Sequence, residues 1–507
     1  MYRIIGTHAE RLPDLAGLVT TADTPVTRHR DVRVMPQTPS VRGPNMLYFS
    51  AGGVFGSDGT RVAESNFIRS HGSYFDPGEQ VFSRPPAYLP AALYGGVLFN
   101  HYGHFLLEST ARLWAPARGI GDGLPVVFLA APNFQLEAYH EFLLRRLGLL
   151  DRLHICTEPL RVGELIVPAP AFRYREMADA DAAFIEPFQR IAAQVAQRPR
   201  PRTYISRRKL DSAMSIPENE VEAMFRADGW DIACPEDLEM AEQVELFRNA
   251  SQLAGLSGSG MHNQLYSPPG TRVVHINRFW TFLRSFFVID ELTGADSTHI
   301  LGYQRMEPLP TDASGPFFLN IGRIHADLRA AGVLTTTSYQ IPLPEALDGY
   351  ASAYRSAAWL RRVQMARWQG NETARQDAID QGMAEGVNPA AFLTEQALLL
   401  HDRGDFQAAL DAMRRAIGLV PEDARILCNF LNIAAAAESA DDIAAGLDLV
   451  LPLQVNGPDI LMVCDRFLAA ERYKDCLSFL EHNAHAMSDA LVQRRDACLA
   501  ALGRTTA

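Results

Sequence analysis

Four ionisable side chains occur at helical spacing in an otherwise apolar run, GGVLFNHYGHFLLESTARLW, at residues 95–114. They are His101, His104, Glu108 and Arg112. At about 100° per residue they fall within one stripe of roughly 80° on a helix. The remaining surface of such a helix is apolar, which predicts burial, and a buried ionisable stripe costs several kcal/mol unless a partner satisfies it. The stripe is therefore expected to face a metal, a substrate or its own salt bridges.

Three interpretations of this stripe are open. A metal site could use His101, His104 and Glu108, but their spacing of three and four residues lacks the compact HExxH geometry. A structural network would pair Glu108 with Arg112 and bury a histidine in its neutral form. A polar patch facing a cleft between domains would bind a sugar or transfer a proton. The residues alone do not decide between these alternatives.

A glycine turn follows a predicted strand in LAGLSGSGMHNQLYSPPGTRVVHIN, residues 253–277. The strand ends at Leu256, and the chain then passes through Ser257–Gly260 into a short predicted helix that carries His262 and Asn263. Glycine lets a backbone approach a ligand closely, and the N–H groups at a helix start attract phosphate. The turn is a candidate phosphate site, with an ordinary strand-to-helix turn as the alternative.

A basic cluster follows another predicted strand in YISRRKL, residues 204–210. Its members are Arg207, Arg208 and Lys209. Guanidinium groups bind phosphate oxygens in pairs, so a basic cluster at the carboxyl edge of a sheet suits a diphosphate. The alternative is a solvated basic surface, which charge runs usually are.

The composition excludes several classes of protein. The 507 residues, 47% hydrophobic and 21% charged, are typical of a globular chain with about two to four domains. The net charge of −12 gives no general attraction to nucleic acid or anionic lipid. The six cysteines show no zinc spacing, and neither a signal peptide nor an apolar run of about 18 residues is present. We expect a cytoplasmic protein without a transmembrane segment, with peripheral contact at a membrane as a further option.

The pattern along the chain predicts three domains. Residues 1–195 begin with short β-like runs and continue with alternating helices and buried strands, which is typical of an open, mostly parallel α/β sheet. The proline-rich stretch AQRPRPRTYISRRKL then leads into a second α/β pattern within residues 196–345. Ligands of such sheets lie outside the carboxyl ends of the strands, in a cleft between the two halves.

The last segment, residues 346–507, is predicted to be a helical-repeat domain. Residues 390–423 match the 34-residue tetratricopeptide pattern of small residues and a terminating proline. A shift of 34 residues aligns Gly370, Ala374, Asp377 and Ala378 with Gly404, Ala408, Asp411 and Ala412. One helix pair cannot bury its own apolar face, so stacked repeats are expected, and they would offer a surface to a protein partner.

Three segments, in this order, resemble the catalytic domain of glycosyltransferase family 61. They are NHYGHFLLESTARLW, TYISRRKL and CPEDLEMAEQVELFRNASQLAGLSGSGMHNQLYSPPGTRVVHI. The resemblance covers roughly residues 95–280. The last segment is the most specific, because it combines an EQ-containing helix, a strand, a GxG turn followed by Asn, and a strand led by Pro-Gly.

The resemblance implies an α/β protein with a GT-B-type pair of Rossmann-like domains, followed here by the all-α helical-repeat (TPR-like) domain. It implies an inverting transfer from a nucleotide sugar, usually a UDP-sugar, to a hydroxyl of a glycan or polysaccharide. No cofactor and no divalent metal are expected, because Arg, Lys and a helix N-terminus can stabilise the leaving diphosphate. The first residue of the turn is Ser257, where relatives often have His.

The family pattern carries over to specific residues of this chain. His104 and Glu108 are the catalytic candidates, and either could be the base that takes the acceptor proton. We expect Arg207, Lys209 and the amides around Ser259 to Met261 to hold the diphosphate. The residues expected on the donor side are Arg207, Lys209, Glu242, Gln243, Gly258, Ser259, Gly260, His262 and Asn263. A catalytically inactive repeat scaffold and a metal hydrolase using His101, His104 and Glu108 are the alternatives.

Overall fold

The computed structural model describes most of the chain in two compact units, Met1–Pro342 and Leu343–Ala507. The first unit is mixed α/β and the second is all helical, as the sequence predicts. The described residues are 2–6, 12–37, 41–42, 48–66, 68–69, 72–73, 75–76, 87–131, 134–174, 178–199, 201–210, 214–307, 309, 315–455, 457–484 and 488–503.

The described strands all lie in the first unit. They are β1 (Tyr2–Ile5), β2 (Val19–Thr20), β3 (Val26–Met35), β4 (Val41–Arg42), β5 (Tyr48–Ala51), β6 (Gly53–Phe55), β7 (Ile68–Arg69), β8 (Gly72–Ser73), β9 (Phe75–Asp76), β10 (Ala87–Leu98), β11 (Val126–Ala130), β12 (Leu153–Cys156), β13 (Leu160–Pro168), β14 (Phe172–Tyr174), β15 (Ala178–Asp181), β16 (Thr203–Ile205), β17 (Ser215–Ile216), β18 (Asp231–Ala233), β19 (Gln252–Leu256), β20 (Arg272–Asn277), β21 (Asp296–Leu301) and β22 (Phe317–Phe318).

The α-helices are short in the first unit and longer in the second. Those of the first unit are α1 (Tyr102–His104), α2 (Trp114–Ala117), α3 (Ala138–Arg146), α4 (Glu186–Ala192), α5 (Glu218–Ala227), α6 (Met240–Asn249), α7 (Arg284–Thr293) and α8 (Ile321–Ala330). Those of the second unit are α9 (Pro344–Trp368), α10 (Glu372–Ala384), α11 (Pro389–Asp402), α12 (Phe406–Leu419), α13 (Ala424–Ala436), α14 (Ala440–Val450), α15 (Gly457–Ala469), α16 (Tyr473–His482) and α17 (Asp489–Ala501).

Two six-stranded sheets form the framework of the first unit. One has the order β12-β11-β10-β13-β3-β6; its first four strands are parallel, and β3 and β6 pair antiparallel to their neighbours. Its strand β11, VVFLA, is buried at every position, as expected for a strand covered on both faces. The sheet pair agrees with two successive α/β patterns, and the GT-B arrangement stays a prediction.

The second sheet is parallel throughout, with the order β1-β21-β20-β19-β16-β18. The strand β1 belongs to this sheet and pairs with β21, although it lies within the predicted first domain, residues 1–195. Adjacent parallel strands end at the same edge of a sheet. The residues that follow β16, β19 and β20 are therefore brought to one place.

The predicted long helix through the ionisable stripe is interrupted in the structure. His101 precedes α1, and a π-helical turn at Phe105–Ser109 replaces the regular helix after it. The Thr110 N–H donates to the Phe105 carbonyl five residues earlier, and the Thr110 hydroxyl donates to the Leu106 carbonyl at 2.6 Å. Such side-chain competition for helix carbonyls bends helices, and π turns are frequent at functional sites.

The helical unit repeats a turn with the predicted spacing. Gly370, Gly404 and Glu438 have positive φ angles of 65°, 80° and 53°, at intervals of 34 residues, and Glu471 follows with 56°. Asn371 and Asp405, the residues after the first two of these turns, cap α10 and α12 with their side chains. Successive helices pack against one another, so each pair buries its apolar face against its neighbours.

Two glycines inside helices of this unit make a matched test of its packing. A Cβ on Gly382 would overlap the ring of Phe392, which is fully buried, whereas nothing lies within 4 Å of a Cβ on Gly418. Ala in place of helical Gly stabilises by about 0.5–1 kcal/mol, and overpacking costs about 1–3 kcal/mol. We expect Gly382→Ala to lower the melting temperature of the helical circular-dichroism signal and Gly418→Ala to leave it equal or higher. Equal melting temperatures for the two variants would contradict this packing.

Candidate active site

Arg207, immediately after β16, lies against the glycine turn that follows β19. Its guanidinium packs so closely on Gly258 that a Cβ there would collide with it, with Cζ only 3.0 Å away. The backbone N–H of Arg207 donates to Glu218 Oε1 at 2.8 Å. Burial lowers the pKa of Arg207, and its buried Nε has no hydrogen-bond partner in the structure. Arg207 thus holds a desolvated positive charge beside the predicted phosphate turn.

Arg278, immediately after β20, places a second guanidinium at the same turn. Its Nε donates to the Ser257 carbonyl at 2.7 Å, and only 5% of the residue is exposed. The guanidinium lies 4.8 and 4.4 Å from the ring centroids of Phe279 and Phe317. Burial and then the charge of Arg207 lower the pKa of Arg278 to about 9. We call Arg207 and Arg278 the arginine pair.

The sequence reading missed Arg278. The available signal was its position directly after the predicted strand RVVHIN, at the carboxyl edge of the sheet. Many strands are followed by an arginine, so this position alone does not indicate a binding site until the strand order is known. Because β20 lies next to β19, and β19 next to β16, the two arginines flank one turn.

Glu218, at the start of α5, faces the arginine pair. Its side chain is buried, and Oε1 accepts hydrogen bonds from the Tyr204 hydroxyl at 3.1 Å and from the Arg207 N–H. Burial raises the pKa of Glu218 to about 7 in spite of these donors and of the nearby positive charge. Near neutral pH the carboxylate is therefore only partly ionised, and Glu236 is a second acidic residue that acts on Arg207.

The glycine turn itself is close to α1 from the first sheet. The predicted short helix after it is a 3-10 helix, Ser259–Tyr266, and the Met261 N–H donates to the Gly258 carbonyl at 3.0 Å. A Cβ on Gly103 would lie 2.5 Å from Ser259 Oγ and 3.3 Å from His262 Nδ1. Burial, with smaller effects of His104 and His101, lowers the pKa of His262 to about 3, so this imidazole is neutral.

His104 and Glu108 form a hydrogen-bonded pair on the α1 side of this contact. His104 Nδ1 lies 2.6 Å from Glu108 Oε2; the Glu108 side chain is 3% exposed and the His104 side chain 42%. A buried carboxylate that accepts from Nδ1 fixes the ring orientation and leaves Nε2 as a proton acceptor. The His101 ring centroid lies 4.7 Å from that of His104.

Arg112 is satisfied by backbone carbonyls. It donates to Pro168, to Glu64 at 2.8 Å and to Asn66 at 3.5 Å. One interpretation of the sequence paired Glu108 with Arg112. In the structure Glu108 instead pairs with His104. The reason is the π turn, which changes the side-chain directions that a regular helix would give.

Glu108 also lines a cleft of about 60 Å³ that is open to solvent. The other walls come from β10, from the turn before β7 and from β14. Polar and aromatic side chains on these walls include Asn66, Tyr94, Arg112, Arg173 and Tyr174. Glu108 thus forms part of the wall of a cleft on the first-sheet side.

Two residues predicted on the donor side, Lys209 and Glu242, form their contacts away from the glycine turn. Lys209 is half exposed and its Nζ binds Asp237 Oδ2 at 2.5 Å. Glu242 is exposed and accepts from the Glu239 N–H at 2.9 Å, which caps the start of α6. A capping box satisfies helix N–H groups, so the ExxE spacing of this helix has a local explanation. Arg208, the other basic residue of the cluster, binds Glu222 at 3.1 Å.

Asn263 links the 3-10 helix after the turn to Tyr102 on α1 and to Gln243 on α6. The Tyr102 hydroxyl donates to Asn263 Oδ1, and Asn263 Nδ2 donates to Gln243 Oε1 at 2.9 Å. Gln243 Nε2 donates to the carbonyls of Pro235 and Leu238 at 2.9 and 3.1 Å. Asn263 is fully buried, so its amide positions the turn relative to α1.

A buried cluster of two histidines and an aspartate lies behind the turn. Asp290 Oδ1 is 3.0 Å from His275 Nε2, and Oδ2 is 2.7 Å from His299 Nε2. Among the described residues, this is the group whose potential metal-ligand atoms all lie within 4.8 Å of one another. Burial would raise the pKa of Asp290, but the two histidines hold it below its usual range. Gln264 Nε2 also donates to Asp290 Oδ1 at 2.8 Å, which anchors the 3-10 helix.

The first unit is mixed α/β and has basic groups at the ends of parallel strands, the edge at which such sheets bind their ligands. Residues 102–274, about a third of the chain, match the family model described as Glycosyltransferase 61. The resemblance seen in the sequence is confirmed for this segment. The matched range includes all predicted site residues from His104 to Asn263, and Arg278 lies just beyond it.

The C-terminal helical part of the chain is similar to several solved structures, as follows. A tetratricopeptide repeat protein from Parabacteroides merdae has 13% identity and a TM-score of 0.25; the match covers 29% of this chain and 60% of that one. The MamA protein has 10% identity and a TM-score of 0.25, over 30% and 84% of the two chains. The pilF protein of Pseudomonas aeruginosa has 12% identity and a TM-score of 0.24, over 29% and 69%. No curated protein matches the chain.

Helices that could span a membrane are absent from the described part of the chain, because none combines enough length with enough apolar sequence.

The raised pKa of Glu218 predicts a pH-dependent stability. In the folded protein this pKa is about 7 against an ordinary value of 4.5, so folding takes up a proton between these values. The contribution to stability is complete below the ordinary pKa and is lost as the pH rises through 7, by at most about 3 kcal/mol. Glu218→Gln should abolish that loss between pH 5 and pH 8 in chemical denaturation. The exposed Glu291→Gln is the control; a wild-type pH dependence in Glu218→Gln would contradict the assignment.

Proposed function

We propose that this protein is an inverting glycosyltransferase that moves a sugar from a nucleotide-sugar donor, in first place a UDP-sugar, to a hydroxyl of a glycan or polysaccharide acceptor. The family match supports a glycosyltransferase. One observation carries the proposal: Gly103 packs against Ser259 and His262. This contact brings the His104–Glu108 pair of the first half to the turn that holds Arg207 in the second half.

The donor diphosphate is assigned to the second sheet. Arg207 supplies a charge that can bind phosphate oxygens in pairs, and the amides of Ser259 and Gly260 are the backbone donors. The Met261 N–H closes the turn on Gly258, which removes it from the predicted set. These groups stabilise the negative charge that develops on the leaving diphosphate, and no divalent metal is required for that role.

The proton transfer is assigned to His104, with Glu108 as its positioning partner. His104 Nε2 takes the proton of the acceptor hydroxyl while its oxygen forms a bond to the anomeric carbon. The bond from that carbon to the phosphate oxygen breaks in the same step, and the nucleoside diphosphate leaves with the electron pair. A single displacement inverts the configuration. Glu108 accepts the Nδ1–H and stabilises the imidazolium that forms, as a carboxylate does behind a catalytic histidine.

The acceptor is assigned to the side of the first sheet. Glu108 lines the open cleft there, whose walls carry polar and aromatic side chains, and the side chain of its partner His104 is 42% exposed. The helical-repeat unit is proposed to bind a protein partner, since stacked helix pairs form extended surfaces.

Nucleotide binding without metal tests the donor assignment. Calorimetric titration of the full chain with UDP should give a dissociation constant on the order of micromolar that EDTA does not change. Arg207→Ala should weaken binding at least about tenfold, because a charge-assisted hydrogen bond contributes about 1.5–3 kcal/mol. Arg208→Ala, in the same loop but paired with Glu222, is the matched control and should bind as the wild type does.

The alternatives give different results in that titration. If UDP does not bind but GDP, ADP, CMP or dTDP does, the donor carries another nucleotide and the proposal of a glycosyltransferase stands. Failure with all five nucleotides would favour the catalytically inactive repeat scaffold. Loss of binding or activity with EDTA would favour a metal-dependent enzyme.

The assignment of the base has its own test. With the UDP-sugar that the wild type turns over, His104→Ala should lower kcat by about 10²- to 10⁴-fold, the usual contribution of general-base catalysis. The dissociation constant for UDP should change less than about twofold, because the residue acts on the acceptor. His101→Ala is the control for the neighbouring ring. A larger loss of kcat in Glu108→Gln than in His104→Ala would make Glu108 the base.

A further inference from the structure

Two guanidinium groups, and not an arginine with a lysine, meet at the glycine turn. The family pattern assigned Lys209 as the second cation, but Lys209 binds Asp237 and is half exposed. Arg278 is almost fully buried and donates to the Ser257 carbonyl. Arg207 packs on the next residue, Gly258. The arginine pair thus contacts two consecutive residues of the turn, Ser257 and Gly258.

We propose that Arg278 is a donor-binding residue that forms, with Arg207, a two-guanidinium site for the diphosphate of the nucleotide sugar. This inference rests on the proposed function and adds a residue that lies outside the family match, which ends at residue 274. Arg278 takes the role that the sequence pattern gives to Lys209.

The charges around the pair favour an anionic ligand. Arg207 lowers the proton affinity of Arg278, so the two positive charges repel each other. Glu218 acts on both arginines, and Glu236 acts on Arg207; the carboxyl group of Glu218 is only partly ionised near neutral pH. Arg278 is buried and Arg207 is partly buried, so their mutual repulsion is stronger than it would be in water. A diphosphate between them would reduce this repulsion.

The surroundings of Arg278 hold its guanidinium in place before a ligand arrives. The Phe279 and Phe317 rings contact it, and the Ser257 carbonyl fixes Nε. A planar group held in this way loses little conformational entropy when it binds a phosphate oxygen, which a flexible surface lysine would lose. The aromatic rings also exclude water, which strengthens the electrostatic interaction with the leaving diphosphate.

The experiment measures binding of inorganic pyrophosphate and of UDP to the full chain by calorimetry in EDTA. The variants are Arg278→Gln, Arg278→Lys and the control Arg272→Gln. Arg272 is exposed and lies at the opposite end of the same strand, β20. We expect Arg278→Gln to weaken binding of both ligands at least about tenfold and Arg278→Lys about three- to tenfold. Arg272→Gln should remain within about twofold of the wild type.

The outcomes separate this inference from the proposed function. If the wild type binds UDP and both Arg278 variants bind it equally well, the inference is overturned and the transferase stands. If pyrophosphate binds in an Arg278-dependent way but no nucleoside diphosphate binds, the diphosphate site stands and the transferase fails. If neither ligand binds to the wild type, both are overturned. Should Arg278→Gln fail to fold, as judged by its melting curve, Arg278→Lys decides, since it keeps the positive charge.

Discussion

The contact between α1 and the glycine turn is the constraint on which the candidate site depends. Gly103 has no side chain, so the backbone of the first half reaches Ser259 and His262 of the second half directly. The Tyr102–Asn263–Gln243 chain of hydrogen bonds fixes the same contact from the side. Any larger residue at Gly103 would move the His104–Glu108 pair away from the turn. The catalytic geometry proposed here therefore depends on a glycine that does no chemistry itself.

Buried charge is handled in two different ways on the two sides of the turn. Behind it, Asp290 is paired with His275 and His299 and receives a further hydrogen bond from Gln264, so its carboxylate has three partners. In front of it, the arginine pair lies near Glu218, which burial keeps partly protonated, and Glu236 also acts on Arg207. A carboxylate with three partners stabilises the fold, whereas two neighbouring cations favour an anionic ligand. This contrast, more than the number of basic residues, distinguishes the proposed binding side from the structural side.

The sequence predicted the features that depend on local pattern. The alternation of helices and strands, the glycine turn after Leu256, the position of Arg207 at a strand end and the 34-residue period of the tail are all found in the structure. The features it missed depend on strand order or on distant pairing. Nothing near Tyr2 indicates that β1 joins β21, and nothing near Arg278 indicates that β20 lies beside β19. The π turn was missed because helical periodicity assumes 3.6 residues per turn.

The proposed transfer divides the roles between the two halves. In an in-line displacement, a base reaches the acceptor hydroxyl while cations hold the leaving diphosphate on the opposite side of the anomeric carbon. His104 lies on α1, which follows the first sheet, whereas the arginine pair lies at the edge of the second sheet. Asn263 is buried and joins α1 to the turn through Tyr102. In the proposed mechanism a buried, hydrogen-bonded residue such as Asn263 can therefore be required for transfer without touching either substrate.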